Sequence, residues 1–138
     1  MPAQPFPVCI EASNDETLKK IKSLAQSIEG DVHIISSSRR KVLHVAAVFA
    51  NNFSNHLYFL AEKILAKEKI SFGLLRPLIR STAENVMYRP PSEVQTGPAK
   101  RGDEEILKAH LEILKDDPEL KTIYELLSSG IRKNVRNS

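Results

Sequence analysis

From Arg39 to Lys69 the chain contains neither glycine nor proline, and no other feature limits its fold so strongly. These are the two residues that most readily end or kink a helix. At 100° per residue Ala46, Phe49, Phe53, Leu57, Leu60 and Ile64 fall on one face, which predicts a single amphipathic helix of about 30 residues, roughly 45 Å long. A helix of that length suits an element that crosses a subunit interface better than one inside a small monomer. A homodimer is therefore expected.

The segment before this helix has a different rhythm. Val8 to Ala12 (VCIEA) is short and mostly apolar, and Ser13-Asn14-Asp15 supplies acceptors for the free amides of a helix start. Leu18, Ile21, Leu24, Ala25 and Ile28 recur at helical spacing, Gly30 stops the pattern, and Asp31 to Ser36 (DVHIIS) has strand length and β-branched content. This reads as a strand-helix-strand unit whose two strands need further partners, because two strands alone do not make a stable sheet in water. After Ser38 the pattern is helical. A second helix is expected over Phe72–Met87, bent at Pro77, and a loop over Tyr88–Arg101. A third helix over Asp103–Leu114 has Asp103 as N-cap, and a fourth over Pro118–Ser128 ends at Gly130 before a frayed basic tail. The fold class is thus mainly α. Residues 1–37 form a strand-helix-strand piece, residues 38–130 an all-helical domain and residues 131–138 the basic tail.

Composition removes several classes of function. With 41% hydrophobic and 27% charged residues the chain is that of a packed soluble domain. No run reaches the roughly 18 apolar residues of a membrane span, since even Val42–Ala50 is interrupted by His44. Pro2, Pro5 and Pro7 stand where a secretory signal would need a basic segment and an apolar helix, so a cytoplasmic location is expected. Cys9 has no second cysteine to pair with and no nearby His at metal-ligand spacing, so it reads as a buried small hydrophobe and no metal site is expected. The net charge of +3 comes from scattered Lys and Arg, with clusters at Arg39–Lys41, Lys100–Arg101 and Arg132–Arg136. No aromatic residues interleave with them, which argues for solvated surface and against nucleic acid.

Two constellations could carry chemistry. On the long helix His44, Asn51 and Asn55 fall within about 20° of one line, flanked by Lys41 and Asn52 and opposite the apolar face. A solvated helix face usually carries Lys and Glu; a His among three Asn is a poor helix former and suits a partly buried hydrogen-bonding surface. The second is Gln95-Thr96-Gly97-Pro98-Ala99-Lys100-Arg101-Gly102-Asp103, where two glycines allow close backbone approach and Lys100 and Arg101 bring positive charge to a helix start. That combination suits a carboxylate or phosphate, although a capped loop with an exposed basic pair is the plainer account. The Arg101-Gly102-Asp103 triplet also matches a cell-adhesion tripeptide, which carries no weight without a secretion signal. Glu84-Asn85 could reach the same cleft as the loop, and His110 reads as a histidine at the edge of the core. No Gly-rich dinucleotide or phosphate loop occurs.

In order, HVAAVFANNFSNHL, PLIRSTAENV, QTGPAKRGD, HLEIL and IYELL resemble domain of unknown function 2520. This is the C-terminal domain that follows a Rossmann-like NAD(P)-binding domain in bacterial oxidoreductases related to the coenzyme-F420-dependent NADP reductases. TGPAKRGD is its most specific element. The architecture is also similar to the helical C-terminal domain of 6-phosphogluconate dehydrogenases.

The resemblance implies the substrate-binding and dimerisation half of an NAD(P)-dependent oxidoreductase, with its first 36 residues the tail of the nucleotide-binding domain. NAD(P) is implied for the full-length protein, whose Rossmann domain is the implied partner. For this chain alone no cofactor and no activity are expected. His44 and Asn52 are the candidate catalytic residues. Thr96, Gly97, Lys100, Arg101, Asn51 and Asn55 are the candidate substrate-binding residues. The alternative is a non-catalytic helical dimerisation or interaction module.

Overall fold

The computed structural model describes residues 6–136, with side chains through 134. The start of the proline-rich segment and the last two residues of the expected basic tail lie outside the described residues. The chain is mainly α, with a two-stranded parallel sheet near its beginning. Residues up to Phe59 form one compact unit and residues from Leu60 onward another.

In the first unit β1 (Pro7–Ile10) and β2 (Asp31–Ile34) pair in parallel, Val8 against Val32 and Ile10 against Ile34. Both strands are shorter than their apolar patterns predict. After the last rung, from the Ile35 amide to the Ile10 carbonyl at 3.0 Å, Glu11 turns its side chain to the next helix. Between the strands α1 (Asp15–Ser27) begins at Asn14, whose side chain accepts from the Thr17 amide at 2.8 Å. Ala25 is the buried residue of α1, and Ile10 is the buried residue of β1. Cys9, expected to be buried, is only half-buried.

The turn after α1 corrects the role expected of Gly30. Glu29, with φ of 58°, takes the left-handed position. The amides of Glu29 and Gly30 close onto the carbonyls of Gln26 and Ala25 at 3.1 and 3.0 Å, the bonding pattern of a Schellman cap. Gly30 is required for room instead: a Cβ there would stand 2.7 Å from Val8 Cγ2 and 2.8 Å from the Ala25 carbonyl oxygen.

The Gly- and Pro-free run is helical throughout, but it is not one α-helix. α2 (Ser37–Ala47) passes into a π-helical turn (Val48–Phe53) and then into α3 (Ser54–Lys67). A π turn takes in about one extra residue, so the helix on its two sides is out of step by about 100°. α3 ends in a second Schellman arrangement with Lys69 at φ of 56°.

In the second unit Phe72–Leu75 forms a 3-10 turn that leads into α4 (Arg76–Tyr88). Pro77 is therefore in the first turn of α4 and does not bend it, because an amide at that position has no partner within the helix. The expected loop contains two single helical turns, α5 (Pro91–Val94) and α6 (Pro98–Arg101), before α7 (Glu104–Ile113) and α8 (Pro118–Arg136).

Gly130 does not end α8. Its cost within a helix, about 1 kcal/mol relative to alanine, is outweighed by what holds the last turns: Ser128 is buried, and Arg132 reaches Glu104 on α7 at 2.5 Å. Leu60, Leu114 and Leu120 make the core of this unit, with Ile64, Ile123 and Tyr124 packed against it. His110 sits at its edge, as expected, with Nδ1 2.8 Å from the Tyr124 hydroxyl.

Candidate functional site

The candidate residues fall into two sets, one in each compact unit. His44 lies in α2, Asn51 and Asn52 in the π turn, and Asn55 in the first turn of α3. All four are exposed. The single stripe computed for an unbroken α-helix assumes a constant pitch, and the π turn removes that assumption. Asn51 and Asn55, one turn apart, keep a common face, while the offset moves His44 toward the line of Asn52 and His56. Single π turns inside α-helices recur at functional sites because they re-aim side chains and loosen the carbonyl ladder.

The second set surrounds α6. Gly97 has φ of 107° and ψ of 170°, a conformation open essentially to glycine alone, and Gly102 is left-handed at φ of 70°. Between them Ala99 is buried, which pins the turn and leaves Lys100 half-buried and Arg101 and Thr96 exposed. The amides at the start of α7 are not all free for a ligand: the Asp103 side chain already accepts from the Ile106 amide at 3.3 Å. Any anion at this loop would rest on Lys100 and Arg101, with the carboxylate of Asp103 nearby.

Within the second unit a polar cleft of about 290 Å³ lies between α4 and the α5–α6 connection and includes a candidate residue. Thr96 lines it together with Asn85, Ser81, Thr82 and Gln95, and Leu78, Val86, Pro91 and Val94 supply its apolar walls. Thr82 donates to the Leu78 carbonyl at 3.0 Å and the Gln95 amide donates to the Thr96 carbonyl at 2.9 Å. Ser81, Asn85 and the Thr96 hydroxyl therefore have their hydrogen-bonding capacity open among the described residues. No ionisable side chain lines this cleft. It can orient a polar ligand by neutral hydrogen bonds but offers no acid or base of its own.

Asn85 and the loop do meet, as the sequence suggested, whereas Glu84 faces a neighbouring groove. Ser81 and Thr82 were not singled out by sequence reasoning, and Gln95 was named only as the first residue of the loop. The available signal was the helical spacing of Ser81 and Asn85, four residues apart and so on one face. Among the described residues no group of His, Cys, Asp and Glu could hold a metal ion, and no helix is long and apolar enough to cross a membrane.

The pattern of the family described as "Domain of unknown function (DUF2520)" matches residues 6–131. This chain belongs to the DUF2520 family. Among solved structures, the DUF2520 chain is similar to BF3122 from Bacteroides fragilis, provisionally named an NADP oxidoreductase. The two are 43% identical with a TM-score of 0.87, over 94% of this chain and 50% of BF3122. It is also similar to TM1727 from Thermotoga maritima, at 25% identity and a TM-score of 0.75, over 90% of this chain and 51% of TM1727. The DUF2520 chain thus spans about half the length of both. No functionally curated protein matches it.

Proposed function

We propose that this DUF2520 chain is the helical substrate-binding and dimerisation half of an NAD(P)-dependent oxidoreductase. The observation that carries the reading is its match to one half of BF3122, provisionally named an NADP oxidoreductase, over nearly the whole of the present chain. In this division of labour the nucleotide is held by a Rossmann-like half, to which residues 1–37 belong as the tail. Residues 38–130 shape the substrate side, and the basic residues beyond them continue α8 to Arg136. The exposed Ile34 at 60% and Phe6 at 52% beside the two-stranded sheet support the view that further strands cover it.

The cofactor in the full-length protein is NAD(P), with NADP favoured by the name of BF3122; this chain alone is proposed to bind none. His44 or Asn52 would hydrogen-bond the carbon-bound oxygen that gains or loses a proton during hydride transfer, the imidazole being suited to proton exchange near neutral pH. Thr96, Gly97, Lys100, Arg101, Asn51 and Asn55 would bind substrate, the Arg101 guanidinium as a planar fork for an anionic group. The neutral cleft of Thr96, Ser81 and Asn85 extends this set.

The exposed apolar face of the long helix supports a partner there. Val42, Phe49 and Phe53 are 71%, 64% and 48% exposed, an apolar surface that a second copy of the chain would cover. The same surface also favours the second reading, a non-catalytic helical interaction module. A single preparation separates them: the full-length protein, assayed for oxidation of NADPH with a panel of small carbonyl compounds. Turnover that falls on substitution of His44 supports the oxidoreductase, and full-length protein that neither binds nor oxidises NADPH leaves the interaction module.

A further inference from the structure

Beside the neutral cleft lies a second groove, of about 320 Å³, lined by Gly73, Arg76, Pro77, Arg80, Ser81 and Glu84. Ser81 belongs to both recesses. Arg76 and Arg80 stand one helical turn apart in α4, so their side chains project from the same face with Cβ atoms roughly 6 Å apart. Two like charges at this spacing repel, and helices ordinarily offset such a pair with nearby carboxylates. Here, among the described residues, neither guanidinium makes a hydrogen bond or an ion pair, and Glu84, one turn beyond Arg80 in the same groove, is not in salt-bridge contact with it.

We propose that Arg76 and Arg80 form a binding subsite for an oxyanion, the carboxylate or phosphate group of the small molecule whose uncharged part occupies the Ser81–Asn85–Thr96 cleft. The identity of that molecule as substrate rests on the oxidoreductase reading; the anion site itself does not. One guanidinium already offers an oxyanion two parallel N–H donors; two unpaired forks on one groove supply two such pairs and twice the positive charge. With Glu84 also present, the titratable lining carries one net positive charge, so a single anionic group is matched. Ser81 links the subsite to the cleft and lets one ligand span both. Arg101, which lines neither recess, then serves a different contact.

The test is a titration of the chain with inorganic phosphate and, separately, with acetate, following the side-chain Nε–H resonances of the arginines by NMR. Saturable shifts confined to Arg76 and Arg80 in the millimolar range are expected with at least one probe. The two probes distinguish a phosphate site from a carboxylate site. R76Q/R80Q should weaken binding about tenfold or more, and R39Q, at an exposed arginine outside both recesses, should leave it unchanged. Because both arginines are exposed and unpaired, the double variant should keep the parent's helical circular dichroism; if it does not, R80Q alone is read in the same titration. Shifts that grow linearly without saturation, or saturation lost in R39Q and retained in R76Q/R80Q, would overturn the proposal. Saturable binding to the chain in a full-length protein that never oxidises NADPH would retain the subsite and remove only the oxidoreductase reading.

Discussion

The carboxylate of Glu11 accepts a hydrogen bond from the Ser37 hydroxyl at 2.5 Å, joining the end of the strand-helix-strand unit to the first turn of the long helix. Arg40 completes the clasp, 3.1 Å from Glu11 and donating to the Ile35 carbonyl at 2.9 Å. The Ser37 hydrogen bonds, and then the charge of Arg40, hold the Glu11 carboxyl below its ordinary value of 4.5. A carboxylate with a depressed folded pKa stabilises the fold above its unfolded pKa, and that contribution is lost as pH falls through the folded value. The stability difference between the parent chain and Glu11→Gln should therefore be full at neutral pH and vanish on acidification below the ordinary carboxylate range. Thermal melts of both proteins across pH read it, and a difference that does not change with pH would assign the clasp to packing instead.

At the end of α1, neighbouring substitutions should have opposite effects. Glu29 occupies a left-handed conformation that costs a side chain about 1 kcal/mol, so Glu29→Gly should raise the melting temperature slightly. Gly30→Ala places its Cβ against Val8 and the Ala25 carbonyl and should destabilise by about 1–3 kcal/mol. Denaturant unfolding of the two variants is sufficient. The opposite order would mean that the backbone here relaxes freely.

The exposed face of the long helix predicts a homodimer. Sedimentation at tens of micromolar should give twice the 15.5 kDa of the chain, and Phe49→Asp with Phe53→Asp should return it to monomer with its helical content kept. A parent chain that sediments as a monomer would leave the apolar face to another partner.

In the full-length protein, Arg101→Ala should raise KM with little change in kcat, the signature of lost ground-state binding, whereas His44→Ala should lower kcat about 100-fold or more with the fold intact. Asn85→Ala, in the neutral cleft, should behave as Arg101→Ala does. The isolated chain should bind NADPH weakly at best; micromolar affinity by calorimetry would move the nucleotide site onto this half.

Much of this protein follows from local pattern. The Ser13-Asn14-Asp15 stretch and Asp103 were legible as cap sites because a short polar side chain beside free amides is a local device, though which of the three caps α1 was not, and His110 was legible as a core-edge residue because its spacing within α7 places it there. The Gly- and Pro-free run announced a long helix, and the resemblance of TGPAKRGD with the helical segments pointed to the family. Tertiary structure decided what depends on residues distant along the chain.

Gly30 was assigned to the wrong constraint because the crowding comes from Val8, on another strand. Gly130 failed to stop α8 because Arg132 finds Glu104 on α7. The π turn at Asn51 and Asn52 re-phases a stripe that constant helical pitch had drawn straight. The cleft could not be read from Ser81, Asn85 or Thr96 singly, since a recess exists only once α4 and the α5–α6 connection are packed together. Periodicity and capping are encoded within a few residues, whereas the room around a glycine, the end of a helix and the walls of a cleft are set by which segments the fold brings into contact.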